Sequence, residues 1–357
     1  MVFENILREG ETLFSNPGAL DIDYVPKLLP HRENQQKYVA LCIKPLLVGM
    51  NGKNLLIKGT SGIGKTASVR RILYDLEEET DAVKPIYINC WTKNTTYKIL
   101  TEVCHQLGYK FLTYNQSTEE ITAKLDDLFS KFSGLVFVFD EIDRAEDYDF
   151  LYLLLEKQVK KTIVLITSDL AWSASLDSRI LSRLMPDSVT FEAYTPAETT
   201  DILRERMKYA FYQGVWEEEA FNKLSAHSSE FKDIRVGVSL LKSAGLLAEE
   251  DSSRKVLLKH VDAAIERISD IKIKKSSDLT EEENELLSLC RDNDGRLIGE
   301  LFALYQSTGG DKTDRTFRRK LEKLARKGLV DLEIVTDQRG QGTRVVYKGT
   351  VKTLNDF

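Results

Sequence analysis

Proline and cysteine are scarce in this chain of 357 residues, with seven of the first and four of the second. So few prolines exclude a fibrous or proline-rich protein. Cys42, Cys90, Cys104 and Cys290 stand far apart with no Cys-x-x-Cys pair, and the four histidines are scattered. That layout excludes a spacing-defined zinc module, so reduced thiols and no structural metal are expected. No uninterrupted apolar run approaches the roughly 18 residues of a membrane span. The start, MVFENILREG, lacks the basic-then-apolar order of a signal peptide. A cytoplasmic protein without a membrane partner is expected. Excess positive charge is missing too: a net charge of -6 and a pI near 5.5 exclude coating of nucleic acid by the whole surface, so any DNA contact is local. What remains, 42% hydrophobic and 30% charged residues, is ordinary for a globular chain long enough for two or three domains.

From residue 35 to 192 helical patterns alternate with short apolar runs, NLLIKG, PIYINC, GLVFVFDE and TIVLITS. Continuous apolar strands between helices predict an α/β core with a parallel sheet covered on both faces. From Pro196 to about Ile271 amphipathic helical patterns take over, and Thr195 with Glu198 has the spacing of a capping box. The polar, basic stretch IKIKKSSD at 271–278 reads as a linker into a further unit.

Gly59-Thr60-Ser61-Gly62-Ile63-Gly64-Lys65-Thr66 fits GxxxxGK[S/T] between a strand and a helix beginning at Ala67. Glycines let successive N–H groups and the helix N-terminus face phosphates, Lys65 neutralises the terminal phosphates, and the Thr66 hydroxyl can ligate Mg²⁺. A second strand ends in Asp140-Glu141, two carboxylates where a parallel sheet binds ligands. Asp140 is expected to hold the metal, and Glu141 to act as the general base that orients water; the bland reading is an acidic helix cap. A third run ends in Thr167-Ser168-Asp169, which can reach the γ-phosphate or the water. Arg179, Arg183 and Arg235 either touch phosphate or sit on solvated helix faces.

Together these residues resemble the AAA+ replication initiators of archaea, similar to eukaryotic origin-recognition complex subunits and to cell division control protein 6. The resemblance runs over nearly the whole chain, from Tyr24-Val25-Pro26 and Leu29-Pro30-His31-Arg32-Glu33 onward. It implies an adenine-contacting segment at 1–34 with His31 and Arg32 as cofactor contacts, an α/β nucleotide-binding core at 35–195, a small helical lid at 196–275 and a winged helix at 279–357. It further implies Walker A at Gly59–Thr66, Walker B at Asp140 and Glu141, sensor 1 at Ser168, sensor 2 at Arg235 and an arginine finger at Arg183. Serine stands where the family usually has asparagine; its shorter hydroxyl offers a single donor and implies slow or altered hydrolysis. The stretch TYKILTEVCHQLGYKF falls where the family carries a DNA-contacting insertion, with Lys93, Lys98 and Lys110 as phosphate contacts or plain solubilising charges.

Residues 280 to 357 read as three helices followed by a hairpin, with Phe317, Leu321 and Leu324 on one helical face and Gly328 as its stop. Between Asp311 and Gly328 stand eight Lys or Arg against three acids, a local reversal of the global charge. Such a helix suits recognition in a major groove, and strands 329–336 and 343–348 form a wing around Asp337–Gly342. Thr313, Arg315, Arg318, Arg319, Arg339, Gly340 and Arg344 are the expected DNA contacts; the alternative is a winged helix used against protein. The expected cofactors are ATP or ADP with Mg²⁺. The expected partners are double-stranded origin DNA, the MCM helicase and a paralogous initiator, in a nucleoid-associated protein. An ATP-dependent transcription regulator is the second reading.

Overall fold

The computed structural model describes residues 12–109, 117–174, 176–277, 281–307, 313–326, 329–337 and 340–347. Two compact units emerge, Met1–Ala264 and Ile265–Phe357. The first begins α1 (Glu33–Ile43), β1 (Leu55–Lys58), α2 (Lys65–Glu79), β2 (Val83–Asn89), α3 (Thr96–Gln106), α4 (Thr118–Phe129) and β3 (Gly134–Asp140). It continues through α5 (Asp149–Glu156), β4 (Lys161–Thr167), α6 (Ser178–Leu184) and β5 (Asp187–Thr190). The strands form one parallel sheet in the order β2-β3-β4-β1-β5, so β1 lies between β4 and β5 with the loop into α2 at its carboxyl end.

Alternation along the strands sorts the core onto two faces. Leu135, Phe137 and Phe139 of β3 join Ile99 and Val103 of α3, Leu125 of α4 and Phe150 of α5. Val136 and Val138 point the other way, into a second cluster with Val39 of α1 and Val69 and Ile72 of α2. Every residue of β3 is buried, as expected of a central strand in a parallel sheet. β5 is an addition to the four strands read from sequence: its DSVT is short, polar and only half covered.

A helical lid follows in the same unit: α7 (Pro196–Ala210), α8 (Glu218–Glu230) and α9 (Ile234–Glu250). Its capping box closes, the Thr195 N–H donating to Glu198 Oε2 at 2.8 Å and the Glu198 N–H to Thr195 Oγ1 at 3.3 Å. The stretch read as a linker is instead helical through Ser277, within α10 (Leu258–Ser277); its lysines and isoleucines carry no Pro or Gly to stop a helix.

The second unit holds α11 (Glu281–Asp292), α12 (Ile298–Ser307), α13 (Asp314–Arg326), β6 (Val330–Asp337) and β7 (Gly340–Tyr347). Phe317, Leu321 and Leu324 are fully buried beside Leu286, Leu301, Val330 and Val345. β6 and β7 pair antiparallel out to Asp337 and Gly340, and Leu297 bridges to Arg344, which completes a winged helix. The turn is thus tighter than the six residues read from sequence, because Asp337 extends β6 and Gly340 to Gly342 extend β7. Gly328 lies outside the described residues. Among these, no helix is long and apolar enough to cross a membrane.

Candidate functional site

The loop from β1 into α2 needs backbone freedom, and Gly62 (φ 76°) and Gly64 (φ 87°) supply it in the left-handed region. The lid meets the loop at Gly62, where a Cβ would lie 1.9 Å from Asp233 Oδ1. Asp233 also caps α9, and the Ile234 N–H donates to Gly62 O at 3.1 Å. Lys65 Nζ donates to Gly59 O and Thr60 O, each at 2.7 Å, and to Ser168 Oγ at 3.1 Å. In a trans peptide the carbonyl and the next N–H point in opposite directions. Loop carbonyls that are already engaged turn the following N–H groups the other way, as in an anion-binding nest.

β3 delivers the two carboxylates. Asp140 is only 2% exposed, and its Oδ2 accepts from Thr66 Oγ1 at 2.7 Å and from the Tyr87 hydroxyl at 2.6 Å. Its Oδ1 accepts the Glu141 N–H at 2.9 Å, and neither carboxylate caps the short helical turn that follows. Burial, and then the charge of Asp140, push the Tyr87 phenol well up, so it stays a donor. Glu141 sits half-buried; burial first, then Asp140 and Asp143, raise its carboxyl above the ordinary glutamate range, with Lys65 opposing. Burial holds the Lys65 ammonium below the ordinary lysine value, while Glu141, Asp140 and Asp143 pull it back. A hydroxyl beside a buried carboxylate is the hard oxygen pair that Mg²⁺ takes.

These groups meet at a cleft of about 620 Å³ lined by Asp21–Val25, the loop at Ser61, Gly62 and Gly64–Ala67, Arg70, Tyr74, Tyr87, Asp140, Glu141 and Arg235. Arg235 donates to Ser61 Oγ at 3.0 Å while paired with Asp233. A larger, more apolar groove of about 880 Å³ between α1, α2 and α7 contains none of the phosphate-loop residues.

Arg183, a finger expected to act only where a neighbouring subunit docks, pairs with Glu156 at 3.3 Å and stacks on Tyr152, away from this chain's own cleft. Two residues expected in the cleft are placed elsewhere. His31 faces Asp201 at 3.2 Å and Glu198 at 3.8 Å, and Arg32 is buried behind the loop; neither lines the cleft. Arg179 pairs with Asp177. Five residues of the cleft and its loop went unread. Tyr87 and Asn89 alternate with buried Ile86 and Ile88 toward the carboxyl end of β2, a signal present in the sequence. Arg70 stands one turn after Thr66 and stacks on Tyr87. Asp233 and Arg206 left no local signal, because only the packed lid brings them near.

In the second unit Arg315, Arg318 and Arg319 are exposed on α13, opposite its buried face, with Arg318 paired to Asp314 at 2.8 Å. Thr313 precedes the helix, its hydroxyl 3.1 Å from that of Thr316. Gly340 opens β7 and Arg344 is exposed on it; Arg339 lies outside the described residues. On α3 and just before it, Lys98 donates to Asn94 and Lys93 pairs with Glu102; Lys110 is not among the described residues.

Residues 200–266 match the model of the Cdc6 AAA+ ATPase-type lid domain, and residues 49–171 that of an AAA domain. The ORC1-type DNA replication protein of Pyrococcus horikoshii is 30% identical over 98% of this chain and 87% of its own length. ORC1-type DNA replication protein 2 of Methanothermobacter thermautotrophicus is 29% identical, with 95% and 92% covered. Among solved structures, the Aeropyrum pernix ORC1 protein in complex with DNA superposes with a TM-score of 0.72 at 27% identity, covering 95% of each chain.

Proposed function

Because the chain belongs to the family of ORC1-type DNA replication proteins, we propose that it is an ATP-binding initiator that recognises double-stranded origin DNA and helps load the MCM helicase, with slow hydrolysis as a switch. The observation that carries the reading is the convergence of Lys65, Thr66, Asp140, Glu141 and Arg235 on one cleft, in a chain whose winged helix presents exposed arginines. Bound Mg²⁺, held by Thr66 and Asp140, would neutralise phosphate charge. Lys65 binds the terminal phosphates once its contacts to Gly59 and Thr60 open. Glu141, raised in pKa but free of the metal, takes the position of the base. Ser168 already hydrogen-bonds Lys65, and its single hydroxyl gives a weaker hold on the water than an amide, which supports slow turnover. Arg315, Arg318 and Arg319 read base edges, while Thr313, Arg339, Gly340 and Arg344 grip the backbone or minor groove.

The test is fluorescence anisotropy of labelled origin repeats against shuffled DNA over a salt titration, with wild type and an Arg315, Arg318, Arg319 triple alanine variant. A preference of about 10³-fold that collapses in the variant supports a sequence-reading initiator. Equal, steeply salt-dependent binding to both DNAs overturns it, and a preference for the protein's own promoter alone points to transcriptional regulation.

A further inference from the structure

Arg32 touches the phosphate loop from behind. It is 4% exposed, and its guanidinium donates to Ile63 O (3.1 Å, Nε), Glu192 O (2.6 Å, Nη2) and His31 O (3.3 Å, Nη1). Its Cζ lies 3.9 Å from the Tyr194 ring centroid and 5.3 Å from that of Phe191. Burying a guanidinium is costly unless its donors are used and its face is covered, and here three carbonyls and two rings do so. The same tyrosine also abuts the loop: a Cβ on Gly64 would sit 2.7 Å from the Tyr194 hydroxyl.

The Ile63–Gly64 peptide needs such a restraint. Gly64 lacks a Cβ and tolerates either sign of φ, so the loop's own sequence leaves this peptide able to flip. In one orientation the Gly64 N–H points away from Arg32; in the flipped one a carbonyl oxygen takes its place and repels an anion. We infer that Arg32 is a positioning residue that pins the Ile63 carbonyl outward, holding the phosphate loop in its polyphosphate-binding form, and that it takes no part in reading the base. The inference rests on the nucleotide-binding reading above.

The test uses the full-length chain with Arg32→Ala and Arg32→Lys, both checked for folding by thermal melting, and calorimetric titration with ADP, GDP and tripolyphosphate. Arg32→Ala weakens all three ligands by one common factor, about 30-fold for the loss of a buried charged hydrogen-bond set, with the ADP-to-GDP ratio unchanged. Added methylguanidinium restores part of the loss. Arg32→Lys keeps a charge but not the fork, so it folds and shows the same uniform weakening. Tripolyphosphate binding that survives while the ADP-to-GDP ratio collapses would make Arg32 a base reader and overturn the inference, as would unchanged affinity for every ligand. Wild-type protein that binds neither ADP nor tripolyphosphate would overturn the nucleotide reading and the inference together.

Discussion

The nucleotide cleft and the basic helix α13 are both built from charge, yet they handle it in opposite ways. In the cleft the central charges are buried and held, Lys65 by three acceptors and Asp140 by three donors, and Arg235 at the rim, though exposed, is tied to Asp233 and Ser61. On α13 Arg315, Arg318 and Arg319 stand in water, and of these three Arg318 is ion-paired, to Asp314. Low dielectric makes single atoms decisive in the first region, whereas the second works by a sum that salt can screen. Substitutions in the cleft therefore act almost as switches, and those on α13 act by degrees.

The largest effect falls on turnover. Glu141→Gln retains ATP binding and lowers hydrolysis by about 10²- to 10³-fold, the ordinary contribution of a general base; single-turnover assays decide it, and normal turnover would remove Glu141 from the role. Lys65→Ala comes next, with nucleotide affinity down about 100-fold and DNA affinity of the nucleotide-free protein unchanged. If DNA binding fell equally, the two regions would not be separable. Acidification sharpens the same contrast. The Glu141 carboxyl is raised, so its charged form is lost at a higher pH than an ordinary glutamate's, and the pH profile of turnover should bend there. Binding of DNA through arginines should show no such bend. Smaller still, Arg315→Ala alone should weaken origin binding by about tenfold and relax the preference for origin over shuffled DNA while leaving the salt slope nearly unchanged. An all-or-none loss there would mean α13 is as tightly organised as the cleft.

The same contrast governs how much could be read in advance. The four apolar runs mark β1 to β4 to within two residues at each end, because a buried parallel strand is hydrophobic throughout. Lys65, Thr66, Asp140 and Glu141 follow from loop spacing and from strand ends, so their meeting was legible. Phe317, Leu321 and Leu324 were legible as a buried face for the same periodic reason. What escaped depends on approach between distant segments. Asp233 presses on Gly62 only once the lid is packed, and Arg32, expected to meet the cofactor, turns its fork to the back of the loop. β5 escaped because four polar, half-covered residues carry little pattern, and the helical course of 271–277 because lysine-rich polarity looks the same in a linker and in a helix.

Glu141 holds a left-handed backbone, φ 52°, without the excuse of being glycine. A side chain in that region costs on the order of 1 kcal/mol, so Glu141→Gly should melt slightly higher than wild type while losing turnover. Stability and activity pull this position in opposite directions. A copy of the gene released from selection for hydrolysis would be free to drift to glycine or asparagine here, so the identity of this one residue becomes a marker separating working ATPases from relatives that only bind nucleotide.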